Sequence, residues 1–248
     1  MIRQIDLNAD LGEGGSRDSA LMQIITSCNI ACGGHAGDAA SMRRALFEAQ
    51  QHNVCAGAHP AFPDREHFGR KPMPLKGTAL RDVLAAQVRA LLQEATDLNV
   101  TVRHLKPHGA LYNMAAQDEA LAADIVDVLS TVLPQSRLVG PPNSALQTVA
   151  ERQGVTFLAE GFADRAYESD GQLRARSKAG SVLHEVDEQT RQALELVLQQ
   201  RVMTVSGTPL PMQVNTLCVH GDTPSAVEAA QAIRSALQEQ GVSLCAPD

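Results

Sequence analysis

The sequence predicts a single α/β domain spanning residues 1–248, built as a barrel or an open sheet, and three observations carry that prediction. Short apolar runs recur along the chain, each stopping at a cluster of Gly, Pro and polar residues. Stretches with apolar residues at helical spacing lie between them. A chain of 248 residues with 44% hydrophobic content can bury one large core without dividing into smaller units.

In chain order, Ile2 to Leu7 reads as the first strand. It runs into Asn8-Ala9-Asp10-Leu11-Gly12-Glu13-Gly14-Gly15, where carboxylates and glycines crowd as a metal or a general base requires, or as a turn held by its own side chains. A second run, Ile24 to Ala31, ends in Cys32-Gly33-Gly34-His35-Ala36-Gly37-Asp38. Three glycines around one histidine suit close approach of a ligand, and Asp38 caps a helix with Met42, Ala45, Leu46 and Ala49 on one face. The third strand, Val54 to Ala58, delivers His59-Pro60 and then an aperiodic loop from Ala61 to Pro72, read as a lid or substrate loop. Thr78 opens a structural helix with Leu80, Leu84, Val88, Leu91 and Ala95 at helical spacing.

Val100 to Leu105 is the strand before Lys106-Pro107-His108-Gly109-Ala110-Leu111-Tyr112-Asn113. Pro107 fixes its own φ and presses Lys106 toward extended geometry, so a cation and an imidazole sit on a stiff connection, with the next helix expected only from Asp118 to Leu133. Arg137 to Gly140 is a short strand, and Ser144 caps the helix after it. Val155 to Ala159 leads into Glu160-Gly161-Phe162-Ala163-Asp164-Arg165, which reads either as a local salt bridge or as substrate contacts. Asp170-Gly171 marks a turn tip, and a helix runs from Asp187 to Gln199. The last strand, Val214 to Val219, opens onto His220-Gly221-Asp222-Thr223-Pro224. Thr223 before Pro224 signals a helix start, so a helix end with open N–H groups faces the His220 loop and suits a carboxylate or phosphate.

Charge and composition narrow the partners. A net charge of -7 and the lack of any dense Lys/Arg run exclude nucleic acid and anionic membrane. The amino terminus has no apolar signal core, and no stretch approaches a membrane span. Five cysteines without a CxxC pair point to a reducing compartment, so a cytoplasmic location is expected. With no Trp and two Tyr, the chain lacks the aromatic faces of a sugar-stacking site.

The placement of polar groups then acquires weight as a set. His35, His59, Lys106 with His108, Glu160 with Asp164, and His220 each follow a different strand-like run, and in a barrel of alternating strands and helices such positions converge on one mouth. The segments DLNADLGEG from Asp6, NIACGGHAGD from Asn29, GAHPAFPD from Gly57, KPHGALYN from Lys106, EGFADRAYESDG from Glu160 and CVHGDTP from Cys218 resemble the LamB/YcsF family, the A subunits of bacterial 5-oxoprolinase. Six motifs in order span nearly the whole chain. Departures from the family pattern are Gly15-Ser16, Gly34, Ala39 and Ala61-Phe62, none of which removes a charged motif residue.

The resemblance implies a single TIM-like (β/α) barrel of seven strands, related to the polysaccharide-deacetylase type. It also implies ATP-dependent opening of 5-oxo-L-proline to L-glutamate, with ADP and phosphate released, together with 5-oxoprolinase subunits B and C. Asp10, Glu13, His35, His59, Lys106, His108 and His220 are the catalytic candidates, and Asn8, Glu160, Asp164, Arg165 and Asp222 the substrate-binding ones. Lys106 and the helix end after His220 would stabilise charge developing on oxygen, and Arg165 would hold the substrate carboxylate. ATP with Mg2+ is the expected cofactor. Since no GxxxxGK[ST] occurs, ATP uses another cradle, such as the Gly33 to Gly37 turn, or is handled by a partner. Phe62, Phe68 and Phe162 suit either a lid or a partner-docking surface. Two alternatives stay open: a metal-dependent deacetylase or amidohydrolase with Asp10, His35 and His59 as ligands, and a non-catalytic substrate-binding subunit.

Overall fold

Polar residues at every second position of the first strand decide what the sheet encloses. In β1 (Gln4–Leu11), Asp6, Asn8 and Asp10 alternate with Ile5, Leu7, Ala9 and Leu11, and successive side chains of a strand point to opposite faces. One face of β1 is therefore polar, yet Asp6 and Asn8 are as buried as the leucines.

The computed structural model describes residues 4–221 and 223–247. After β1 come α1 (Asp18–Met22), β2 (Ser27–Ala31), α2 (Ala39–His52), β3 (Cys55–His59), α3 (Gly77–Asp97), β4 (Val102–Leu105), α4 (Gly109–Ala115) and α5 (Glu119–Val132). The second half holds β5 (Arg137–Gly140), α6 (Ala145–Arg152), β6 (Phe157–Phe162), α7 (Val186–Gln199), β7 (Arg201–Met203), β8 (Pro209–Pro211), β9 (Thr216–Val219), α8 (Ala226–Glu239) and β10 (Ser243–Leu244). Among the described residues, seven strands pair in parallel in the order β1-β2-β3-β4-β5-β6-β9, and the β1–β9 pairing closes the barrel. The short β10 extends the same edge of β1 ahead of β9, and β7 with β8 forms a separate antiparallel hairpin. No helix among the described residues is long and apolar enough to cross a membrane.

The apolar core lies between the outer barrel face and the helices, joining Leu7, Leu11 and Ile30 to Leu46 of α2, Leu84 and Val88 of α3, Ile125 of α5, Leu196 of α7 and Ile233 of α8. Caps set the helices where the sequence places them. Asp38 accepts from the Ser41 N–H as a capping box at α2, Asp118 caps α5, and Ser144 caps α6. Buried Asp124 of α5 accepts from the Gly77 N–H at 2.6 Å, giving α3 the cap that Lys76 cannot supply.

Several boundaries differ from the expectation, and for two of the strands the reason is that the barrel interior is polar. Asn8 and Asp10 lie inside β1, and Glu160 inside β6, where hydrophilic residues had suggested loops. The connection after Lys106 is also shorter than expected, because α4 begins at Gly109; it buries Ala110, Leu111, Tyr112 and Ala115 while Asn113 is exposed, and at seven residues it is too short for that period to stand out in the sequence. At the last helix, Thr223 and Pro224 form a turn, and α8 starts at Ala226 with no side-chain cap. Phe62 and Phe162 are buried, so neither offers a docking surface.

Inside the barrel the polar groups pair with one another. Asp6 accepts from Thr26 Oγ1 at 2.7 Å, Ser27 Oγ at 2.7 Å and Thr216 Oγ1 at 2.5 Å. One level up, Asn29 donates to Asn8 Oδ1 and Asp10 Oδ1, both at 2.8 Å, while its own oxygen accepts from His104 Nε2 at 2.9 Å. Burial pushes His104 down to about 3, aided by Lys106 and His59, so it serves as a neutral donor. Gly57 makes room for that ring: a Cβ there would lie 2.0 Å from His104 Nε2. Gly57→Ala is expected to displace His104 and destabilise the fold by about 1–3 kcal/mol, a fall in melting temperature of a few degrees to about 10 °C. An unchanged melting temperature would show that the interior can absorb the methyl group.

Candidate functional site

Lys106 follows β4 directly, and its side chain crosses the barrel to Asp10 of β1 and Glu160 of β6. Its ammonium is 2% exposed and gives all three N–H groups away: to Asp10 Oδ1 at 2.9 Å, Glu160 Oε1 at 2.8 Å and Cys218 Sγ at 3.3 Å. Burial favours the neutral amine, but Asp10, Cys218 and Glu160 outweigh it and hold the lysine well above its ordinary value. Asp10 is likewise held well below the usual carboxylate range; burial opposes this and His59 and Lys106 override it. Lys106 is thus a fixed positive charge under the site, with no N–H left for an oxyanion.

With Oδ1 engaged by Lys106 and Asn29, Asp10 turns Oδ2 toward two imidazoles, 3.3 Å from His59 Nε2 and 3.9 Å from His220 Nε2. His220, after β9, gives its Nδ1 hydrogen to Asp164 at 2.8 and 3.0 Å, so Nε2 faces the mouth. Its ring stacks on Phe162 at 5.6 Å. Burial alone would lower His220, but Asp164 and then Asp10 raise it; Asp164 is lowered in return by His220 against its own burial.

On the other side of Asp10, His59 Nδ1 lies 2.7 Å from the Lys106 carbonyl and His108 Nε2 lies 3.0 Å from the Phe68 carbonyl. The facing nitrogens, His59 Nε2 and His108 Nδ1, are 2.9 Å apart. Glu13 Oε1 reaches His35 Nε2 at 2.8 Å and His108 Nδ1 at 3.5 Å, and the His35 ring stacks on His108 at 3.6 Å. The loop after β3 holds this cluster: Phe68, at φ +55°, packs edge-on against both rings, and Gly69 sits so close that a Cβ would meet His35 Cβ at 2.8 Å.

Of the sequence candidates, Asp10, Glu13, His59, Lys106, His108, Arg165 and His220 line one cavity of about 400 Å³ at the carboxyl ends of the strands. His35 stands behind His108, Asp164 behind His220, and Asn8 and Glu160 below Lys106, where Asn8 donates to Glu160 Oε1 at 3.1 Å and Thr216 at 2.6 Å. Asp222 lies outside the described residues. Arg165 spends Nε on the Ser181 carbonyl and Nη2 on the Arg174 carbonyl, which takes two of its five N–H groups and ties down the loop after β6. The turn from Gly33 to Gly37 is filled by the chain itself: Arg65 donates to the Gly33 and Gly37 carbonyls, and a Cβ on Gly34 would meet Gln87 at 2.4 Å. His35 and His59 share a cluster of donor atoms with Glu13 and His108, whereas Asp10 groups with Cys218 and His220, so the three do not form one ligand set.

Sequence reasoning missed Asn29, His104, Cys218 and the cavity rim of Arg70, Arg174 and Arg176. The period-two pattern of Asp6, Asn8 and Asp10 was the available signal for a polar interior; the rim arginines sit in aperiodic loops and gave none.

Comparison with known proteins places these residues in context. The LamB/YcsF family model matches residues 5–248. A protein of Erwinia tasmaniensis named as the A subunit of 5-oxoprolinase is 44% identical over 241 residues, covering 97% of this chain and 98% of that protein. The crystal structure of a lactam utilization protein from Thermus thermophilus superposes with a TM-score of 0.91 at 35% identity, over 98% of this chain and all of that one. The catalytic domain of a peptidoglycan N-acetylglucosamine deacetylase from Eubacterium rectale, at 11% identity and a TM-score of 0.51 over 99% of this chain and 89% of that one, shares the barrel fold.

Removing Lys106 leaves two buried carboxylates facing each other, so Lys106→Ala is expected to cost about 3–5 kcal/mol in chemical denaturation; a loss below about 1 kcal/mol would contradict its role as the site's fixed charge. For His220, the raised folded value means its pairing contributes fully below about 6.5 and fades as pH climbs through that raised value, while the lowered Asp164 contributes above about 3.9 and fades as pH falls. Histidine titration by NMR should show His220 dropping in Asp164→Asn; an unmoved resonance would mean that Asp164 does not set its basicity.

Proposed function

The chain belongs to the LamB/YcsF family, and from that premise we propose that it is the component of an ATP-dependent 5-oxoprolinase that holds 5-oxoproline and opens its lactam ring. The observation that carries the reading is one mouth that combines an oriented imidazole, His220 on Asp164, with a buried carboxylate, Asp10, in a cavity also lined by Arg70, Arg174 and Arg176. Relatives named as A subunits of 5-oxoprolinase, alike over nearly the full chain, support it.

A five-membered lactam is a resonance-stabilised amide, so phosphorylation of its carbonyl oxygen by ATP would make the carbon electrophilic. Water then adds, and the adduct must expel ring nitrogen rather than phosphate if the ring is to open. Proton delivery to that nitrogen decides the outcome, and the resulting acyl phosphate is hydrolysed by a second water to glutamate and phosphate. His220 Nε2 is suited to take the proton from water and return it to nitrogen, with Asp164 fixing the tautomer and Asp10 stabilising the imidazolium. Arg70, Arg174 and Arg176 give the cavity wall a positive charge that suits the substrate carboxylate and the phosphoryl group, although Arg174 already pairs with Glu168 and the Ala179 carbonyl. Lys106 acts through Asp10, as a positioning residue. With no P-loop in the sequence and the Gly33 to Gly37 turn filled, Mg-ATP is assigned to the B and C subunits.

The reconstituted complex should release glutamate and phosphate from 5-oxoproline and Mg-ATP, and this chain alone should not. In the complex, His220→Asn is expected to lower turnover about 100- to 10,000-fold with unfolding unchanged. Coupled turnover by the isolated chain, or near-normal turnover by the variant, would refute the assignment; loss of substrate binding with the chemistry intact would point to a presenting role instead.

A further inference from the structure

The pair His59 and His108 has a feature that acid-base chemistry at His220 does not use. A carbonyl oxygen only accepts, so His59 Nδ1 must carry the hydrogen that meets the Lys106 carbonyl, and His108 Nε2 the one that meets the Phe68 carbonyl. Neutral imidazoles then present bare lone pairs from His59 Nε2 and His108 Nδ1, yet these atoms are 2.9 Å apart and both rings are buried. Two lone pairs at that distance repel unless a positive centre lies between them.

We propose that Glu13, His59 and His108 form a binding site for one divalent transition-metal ion of the zinc type, with His35 holding Glu13 in place. The spacing fits. Donors about 2.1 Å from a common tetrahedral ion lie roughly 3.4 Å apart, and the three separations here are 2.9 Å between the imidazoles, 3.5 Å from His108 to Glu13 and 4.0 Å from His59 to Glu13. The surroundings fit as well. Each ligand histidine donates its outer N–H to a main-chain carbonyl, which fixes the tautomer that a metal requires. Glu13 with Asp10, whose Oδ2 is 3.3 Å from His59 Nε2, balances a charge of two. His35 Nδ1 is buried without a partner, which a bare lone pair tolerates better than an N–H would, so Nε2 carries the hydrogen and donates to Glu13. This set differs from the Asp10, His35 and His59 of the sequence reading, and it stands independently of lactam opening.

The competing occupant of the gap is a proton. Tag-free full-length chain, stripped with EDTA, would be titrated with Zn2+ by calorimetry, then desalted and its metal content measured. The expected result is one retained equivalent and a higher melting temperature with Zn2+ present. His59→Gln and His108→Gln should each weaken binding by more than about 100-fold, and His35→Ala by about 10- to 100-fold. Should a variant fail to fold, X-ray absorption of the zinc-loaded wild type still decides, since two imidazoles and a carboxylate are required around the ion. No retained zinc in the wild type, an affinity indifferent to His59 and His108, or an absorption spectrum with sulfur ligands would each overturn the proposal and leave a shared proton between the rings.

Discussion

The ammonium of Lys106, buried beneath the mouth between Asp10 and Glu160, is the interaction on which the rest depends. It ties β4 to β1 and β6, strands that are not neighbours in the barrel order, so it braces the ring across its interior. Burying charge is costly unless the groups find partners, and here Asn29 donates to Asp10 Oδ1 and Asn8 to Glu160 Oε1, each asparagine being held in turn by its neighbours in the interior. The consequence reaches the surface: because Asp10 Oδ1 is occupied from below, Oδ2 is left to set the charge between His59 and His220.

Much of this organisation was legible in the sequence, because strand ends and helix caps are local. The apolar runs before His35, His59, Lys106 and His220 placed those residues at one end, and Asp38, Asp118 and Ser144 cap helices as their chemistry dictates. What escaped was the direction of the barrel interior. Asn8, Asp10 and Glu160 look like loop residues when a strand is assumed to face an apolar core, and only the closed ring shows that they face each other. Likewise, nothing in the sequence beside Asp164 shows that Arg165 anchors an aperiodic loop through the Ser181 and Arg174 carbonyls.

The mouth divides its labour by what stands behind each imidazole. A carboxylate behind His220 Nδ1 raises its basicity and suits it to carry a proton, whereas carbonyls behind His59 and His108 fix tautomers without adding full charge. Asp10 lies between the two arrangements and is shared by both.

The closure of the ring through β1 and β9 has a consequence for synthesis on the ribosome. β1 emerges first, carrying Asp6, Asn8 and Asp10 toward an interior that does not yet exist, and its second edge is filled only by β9 from Thr216 and β10 from Ser243. At about 5–20 residues per second, the roughly 200 residues between them take on the order of 10–40 s to appear. Until β9 and β10 are made, β1 lacks the partners of that edge and Asp6 lacks Thr216, and an unpaired edge invites foreign partners. The charges on that edge protect it during the wait, since a strand bearing two aspartates pairs poorly with a stranger.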